Sequence, residues 1–320
     1  MMQKLFFIFV TFIFISSARA QQQFVFTNFL LNHYYYNPAF AGSEKVHTAN
    51  LGYRNQWAGF EGSPVTLQAS YYGSYANMRK HGYGVSIFSD NTGLVQNTNF
   101  HLNYAYHINL TDSIRMGFGI RPGYMQYNVK LYDAQLADPI DEVLTGNVLA
   151  TNALDLNAGI YIYSDKFFFA ASMRHIMGKT ISFTGFNYGL AKHYTLIGGY
   201  NFQKPKSKLQ IQPSFLLQYV KPAPVQMSFM VKATYNKKYW GGLTIRTQDG
   251  VGIVAGINLW NRLSIGYGFD YSLGDVRTYN YGSHELMISI ITTKNKPTLD
   301  EEDEDLNNGI FEENNKKKTE

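Results

Sequence analysis

The side chains of this sequence best suited to chemistry are its histidines and its loop acids, and their spacing argues against catalysis. His101, His107, His175, His193 and His284 could each serve as a base. No G-x-S-x-G nucleophile elbow accompanies them, and imidazoles on a polar inner wall are more often structural than catalytic. Asp133, Asp138, Asp141 and Glu142 could gather Ca²⁺, but without EF-hand spacing they read as a solvated loop. Gly117-x-Gly119 and Gly266-x-Gly268 lie in alternating segments with no helix following, so they read as room for tight packing and not as phosphate loops. With no cysteine, the chain has no disulfide, thiolate metal site or lipoprotein signal. Lys and Arg are scattered despite a net charge of +5, which excludes a nucleic-acid stripe. The expectation is a protein that is not an enzyme, with no cofactor, no metal and no nucleic-acid partner.

The elements that would position these side chains are strands. From Gln226 to Tyr235, Met227, Phe229, Val231, Ala233 and Tyr235 oppose Gln226, Ser228, Lys232 and Thr234, with Met230 the one interruption. From Leu263 to Ser272, Leu263, Ile265, Tyr267, Phe269 and Tyr271 oppose Ser264, Gly266, Gly268, Asp270 and Ser272. Such alternation predicts strands near 47–57, 64–74, 81–90, 97–108, 113–126, 154–163, 166–173, 193–202, 208–218, 226–235, 238–247, 250–259, 262–271 and 283–292. That makes fourteen, mostly long enough to cross a membrane when tilted, and even in number as single-chain bacterial barrels are. Every second connection is short. The long ones, Tyr127 to Ala153, Arg174 to Lys192 and Leu273 to Gly282, all fall on the other parity, as the two ends of an outer-membrane barrel require and a soluble sandwich does not.

The two strand faces differ in chemistry. Arg54, His101, His107, Arg115, Arg121, Asp155, Lys232, Arg246, Asp270 and Glu285 share the inward parity. An outward Arg or Lys would cost roughly 2–4 kcal/mol at mid-membrane, so the ionic side chains are expected to meet water inside a lumen. Outward Trp57, Tyr71, Tyr106, Phe202, Tyr219, Tyr239 and Tyr271 lie near strand ends, where interfacial girdles belong. Twenty-five Tyr, 23 Phe and 28 Gly beside 16% charged residues fit the same reading. The fold class is therefore all-β: a single transmembrane antiparallel β-barrel of about 14 strands, integral to an outer membrane and contacting its lipid.

Four segments are expected. Residues 1–20, with Lys4, the apolar run Leu5 to Ile15 and Ala18-Arg19-Ala20, read as a signal peptide. Residues 21–46 do not alternate yet carry Phe24, Phe26, Phe29, Leu30, Tyr34, Tyr35 and Tyr36, so they are expected to tuck into the periplasmic mouth or lumen as a plug. The barrel occupies 47–292. Residues 293–320, with the acidic run Asp300 to Asp305 and then Lys316 to Lys318, read as a disordered charged tail. Both ends of the mature chain are expected in the periplasm. Pro38 and Gly42 let the plug reverse before the first strand. Arg54, facing the lumen with Asn50 and Gln56, could bond plug carbonyls or an inward carboxylate such as Glu285.

A set of short motifs spread in order along the chain resembles the PorP/SprF family of type IX secretion system outer-membrane proteins of Bacteroidetes. The set begins with Asn32, followed by Asn37-Pro38-Ala39-Phe40-Ala41-Gly42, Tyr53-Arg54-Asn55-Gln56-Trp57, Gly62-Ser63-Pro64 and Leu102-Asn103-Tyr104-Ala105-Tyr106. His193-Tyr194, Tyr219-Val220-Lys221-Pro222-Ala223-Pro224 and Gly282-Ser283-His284-Glu285 complete it. His33, where the family often has Pro, Val65 after the Gly-x-Pro turn, and the charged tail are departures. The resemblance implies a non-enzymatic barrel serving the export or surface attachment of adhesins that bear a C-terminal sorting domain, including those of gliding motility. It also implies partners among the type IX envelope components, including the periplasmic lipoprotein ring. On this reading the outer loops cradle the adhesin's terminal domain. The rival is a plugged transport barrel, a porin or an importer of small hydrophobic solutes. A third reading, a hydrolase, would need a lumenal histidine essential to activity.

Overall fold

A computed structural model of the chain describes residues 25–44, 46–75, 78–130, 148–178, 180–183, 186–247 and 249–293. The alternating segments form β1 (Thr48–Asn55), β2 (Val65–Tyr75), β3 (Met78–Thr92), β4 (Val95–Asn109), β5 (Arg115–Lys130), β6 (Val148–Tyr163) and β7 (Phe167–Arg174). A small hairpin, β8 (Thr180–Phe183) and β9 (Phe186–Gly189), precedes β10 (His193–Tyr200) and the two-residue β11 (Phe202–Gln203). Next come β12 (Leu209–Val220), β13 (Gln226–Tyr235), β14 (Tyr239–Arg246), β15 (Gly250–Leu259), β16 (Leu263–Ser272) and β17 (Ser283–Ile291). Successive strands pair antiparallel, β10 bridges to β12, and β17 returns to β1 with Thr48 opposite Ile291. Leaving aside β8, β9 and β11, this is a closed barrel of 14 strands, and closure leaves no unpaired edge for hydrocarbon to meet.

The strands bury alternate residues as expected. In β15, for example, Gly250, Gly252 and Val254 are buried while Val251, Ile253 and Ala255 are exposed. Leu243, Ile245, Ile253 and Leu154 are each more than half exposed, an outer surface that only lipid would stabilise. Two features exceed the sequence-based expectation. Strands β3 to β6 run on toward the end that carries the long connections, because residues 127–130 and 148–153, expected to lie in a loop, continue the β5–β6 ladder from Tyr127 opposite Thr151 to Lys130 opposite Val148. The connection after β7 contains the β8–β9 hairpin, a four-residue alternation too short to stand out in sequence. The barrel thus has a short-turn end, where β1 begins and β17 ends, and a long-loop end opposite it.

The chain before β1 lies inside the barrel. Phe29–Leu31 and Pro38–Phe40 form 3₁₀ turns around a single α-helical turn, His33–Tyr36. Phe26, Phe29, Tyr34, Tyr36 and Ala39 have no exposed surface. They form one apolar cluster with inward residues on many strands, among them Tyr72, Tyr161, Phe168, Ile197, Leu216, Met230, Trp240, Val254 and Met287. Met230, the interruption in its strand's alternation, is thus buried in this cluster. Each fully buried aromatic or aliphatic side chain contributes about 1.5–3 kcal/mol, so the segment is held as a core is held. Arg54 pairs with Glu285, as its inward position suggested, and both also bond this segment.

Candidate functional site

The filled lumen is the feature that many of the inward polar residues serve. The segment descends from the long-loop end to the short-turn end, and the signature residues fasten it along the way. The side-chain amides of Asn32 and Gln68 exchange both hydrogen bonds, Asn32 Nδ2 donating at 2.5 Å and Gln68 Nε2 at 2.9 Å. Asn37 accepts from the Ala39 N–H at 2.8 Å and donates through Nδ2 to the carbonyls of Ile160 and Ala171 at 2.7 and 3.1 Å. One residue thereby caps the Pro38 turn and fastens it to β6 and β7. The Pro38 carbonyl accepts from Asn103 Nδ2 at 3.0 Å. Arg121 donates to the Tyr34 and Tyr35 carbonyls and stacks 4.4 Å over the Tyr34 ring. His107 Nε2 bonds the Ala41 carbonyl at 2.7 Å.

Two glycines make room for this backbone. A Cβ on Gly119 would overlap the backbone of Pro38 and Ala39, and one on Gly82 would overlap the Ala41 carbonyl. Gly268 of the second spaced pair lies against Thr27, 3.2 Å from where its Cβ would stand. Gly42 takes φ of +85° to turn the chain toward β1, as its glycine implied.

At the long-loop end the start of the segment is held by charge. Register places Arg54 opposite Glu285, with Asp270 on the adjacent β16. Arg54, with no exposed surface, reaches Asp270 at 2.7 Å and Glu285 at 3.3 Å. In the plug, the Thr27 hydroxyl accepts from Arg54 at 2.5 Å and donates to Asp270 at 2.6 Å. The two Glu285 oxygens accept the N–H groups of Thr27 at 2.6 Å and Asn28 at 3.0 Å. Arg246 joins through Asp249 at 2.6 Å and Asp270 at 3.5 Å. A second cluster lies on the far wall, where Asp155 receives His175 at 3.0 Å and His101 at 3.4 Å.

The remaining signature residues build the long-loop rim. The Trp57 N–H donates to the Ser283 hydroxyl at 3.1 Å, with Trp57 at φ of 54°. The carbonyls of Pro64 and Gly62 accept from the Gln56 and Gly93 N–H groups at 2.9 and 2.8 Å. Ser63 reaches Asn55 at 3.4 Å. Tyr53 faces outward, and so does His284, which bonds the Tyr267 hydroxyl at 2.7 Å on the outer face. His284 is therefore not a lumenal histidine. Asn32, Asn37, Pro38, Ala39, Gly42, Arg54 and Glu285 come together in the plug lock; Asn55, Trp57, Gly62, Pro64 and Ser283 do so in the rim. Sequence reasoning missed Thr27 and Gln68 as lock residues and read Asn103 only as part of a motif, although strand parity places Gln68 and Asn103 on the inner wall; Gly119 it read as room for tight packing, as found. Asp133, Asp138, Asp141 and Glu142 lie outside the described residues, as do residues 1–20, expected as a signal peptide, and 294–320 of the expected tail.

One plug residue makes docking sensitive to acid. The His33 ring sits against Phe40 at 5.1 Å and Phe168 at 4.7 Å. Burial, reinforced by the Lys232 charge, pushes its imidazole from 6.5 down to about 3. The docked state therefore binds fewer protons than the released state between those values. The His33 contribution to docking is full above about pH 6.5 and declines as pH falls toward about 3. Protease sensitivity of residues 25–44, measured from pH 8 to pH 4, is expected to rise on acidification in the wild type and much less in His33→Phe.

Geometry and chemistry together define a class: an outer-membrane β-barrel whose lumen is closed by its own N-terminal segment. The family model described as "Type IX secretion system membrane protein PorP/SprF" matches residues 18–290, and the chain belongs to that family. Among solved structures it is similar to the CymD monoaromatic hydrocarbon channel at 11% identity and TM-score 0.46, over 79% of this chain and 90% of that one. It is also similar to the Pseudomonas putida toluene transporter TodX at 10% identity and 0.46, over 83% and 93%. For Acinetobacter baumannii Omp33 the values are 8% and 0.44, over 77% and 98%. No curated protein matches the chain.

Proposed function

We propose that this barrel is a non-enzymatic anchor of the type IX secretion system that holds an exported adhesin through its C-terminal sorting domain. The adhesin docks at the long-loop end, which faces the cell surface. The short-turn end and the charged tail, with both chain termini, face the periplasm and meet envelope components such as the lipoprotein ring. The observation that carries this reading is the occupied lumen. A transport barrel needs a path, whereas here an apolar cluster joins the segment to strands around the ring and hydrogen bonds fasten it from Glu285 down to His107. A rigid, closed cylinder with a built rim suits holding over conducting.

Liposomes containing the purified protein are expected to swell no faster in sugars than empty liposomes. Rapid swelling would transfer the assignment to a transport barrel. A deletion strain is expected to lose surface display of its adhesin while other secretion continues, and normal display would end the proposal.

A further inference from the structure

Arg174 ends β7 at the long-loop end and is only 9% exposed. Its Nη1 donates to the Tyr35 hydroxyl at 3.1 Å, and the guanidinium lies 5.0 Å from the Tyr35 ring centre. Its Nε and Nη2 are buried and have no hydrogen-bond partner among the described residues. Those two nitrogens form one edge of the guanidinium fork, the edge that takes both oxygens of a carboxylate. On the next strand, Thr195 Oγ1 is also buried without a partner. Thr195 pairs in register with Ser172, two residues from Arg174 on the same inner face, a diagonal relation that separates positions by roughly 7–8 Å.

Among the described residues, charge in this quarter of the lumen is unbalanced. Arg121 spends its donors on plug carbonyls and Asn103. The carboxylate there, Asp155, is already bonded by His101 and His175. A buried guanidinium with a whole edge unspent is costly unless an anion completes it.

We propose that Arg174, with Thr195 beside it, binds a carboxylate carried on a polypeptide segment that enters from the long-loop end. Tyr35 closes the site from the plug side. The acidic run Asp300 to Asp305 follows β17 in the sequence, and β17 ends opposite Thr48 at the short-turn end, away from Arg174. The ligand so assigned is a partner's, and the inference rests on the proposed docking of an adhesin at this end.

The test uses the full-length protein in detergent and three fluorescent peptides of one neutral sequence. One has a free C-terminal carboxylate, one is amidated, and one is amidated with an internal Glu. Anisotropy is expected to show at least tenfold tighter binding of a carboxylate-bearing peptide than of the neutral amide. Which of the two binds separates a chain terminus from an acidic side chain. Arg174→Lys keeps the charge but loses the fork edge, and Arg174→Gln loses both; each is expected to weaken binding at least tenfold, and Thr195→Val severalfold. Heat-modifiable gel migration identifies folded variants, and Thr195→Val decides the matter if both Arg174 variants fail to fold. Equal affinity for all three peptides, or binding unchanged in the folded variants, overturns the site. Failure of the site together with a display defect in the deletion strain leaves the docking reading standing. Carboxylate binding with normal display removes that reading and keeps the site.

Discussion

Replacing Arg54 with methionine is expected to destabilise the folded barrel by about 3–5 kcal/mol, the usual consequence of removing one partner from a buried ion pair. Asp270 and Glu285 would then face each other's charge in a site where the side chains are 6% and 1% exposed. Arg246 would be left to compensate both, and it is already committed to Asp249. Urea unfolding in detergent, followed by tryptophan fluorescence, measures the loss. Glu285→Gln gives the informative contrast. It retains one acceptor for the N–H groups of Thr27 and Asn28 and removes a negative charge from a cluster that has three acids to two arginines. Its effect is expected to be well below that of Arg54→Met. If the two variants proved equally destabilised, hydrogen bonding to the plug and not ion pairing would hold the segment's start.

Gly119→Ala is expected to release the plug and open the lumen. The added carbon would overlap the backbone of Pro38 and Ala39, which no side-chain rotation relieves, so one side must move. The wall is the stiffer side: Gly119 pairs with Ala105 on one neighbour and Gly159 on the other, and shifting it deforms two ladders. The Pro38–Phe40 turn hangs by Asn37, Asn103 and its apolar contacts. Overpacking of this kind typically costs about 1–3 kcal/mol, and here it falls on the plug's attachment. Planar-bilayer recordings are expected to show conductance steps in Gly119→Ala and none in the wild type, with chymotrypsin cutting at Tyr34 to Tyr36. Gly241→Ala serves as control, since a carbon there meets only the Val254 carbonyl at 3.4 Å. A silent Gly119→Ala would mean that the segment can shift within the lumen without leaving it.

The rim and the lock were unequally legible in the sequence. Gly62, Pro64 and Ser283 carry turn chemistry, so their place at strand ends followed from residue type, whereas Trp57 read only as an outward aromatic near a strand end. That Asn side chains would help hold the plug was legible, but not the partners that Asn32 and Asn37 take. Their hydrogen bonds join positions far apart in sequence, Asn32 to Gln68 and Asn37 to Ala171, and no local pattern encodes such a pairing. Arg174 stood at a predicted strand end like any other polar residue; its unspent donors exist only once Tyr35 has taken Nη1.

Alternation with period two determined the strands, their even number and the side each residue faces, because a pleated backbone turns successive side chains to opposite faces whatever they meet there. Loop length determined which connections share an end. What the inward side chains meet was decided by tertiary structure alone: ionic and aromatic residues on the inner wall suit a water-filled channel or a bound polypeptide equally well. Closing the ring brings Arg54, Asp270 and Glu285 onto Thr27, and Gly119 onto Ala39. Those contacts turn a channel-shaped wall into a filled cylinder.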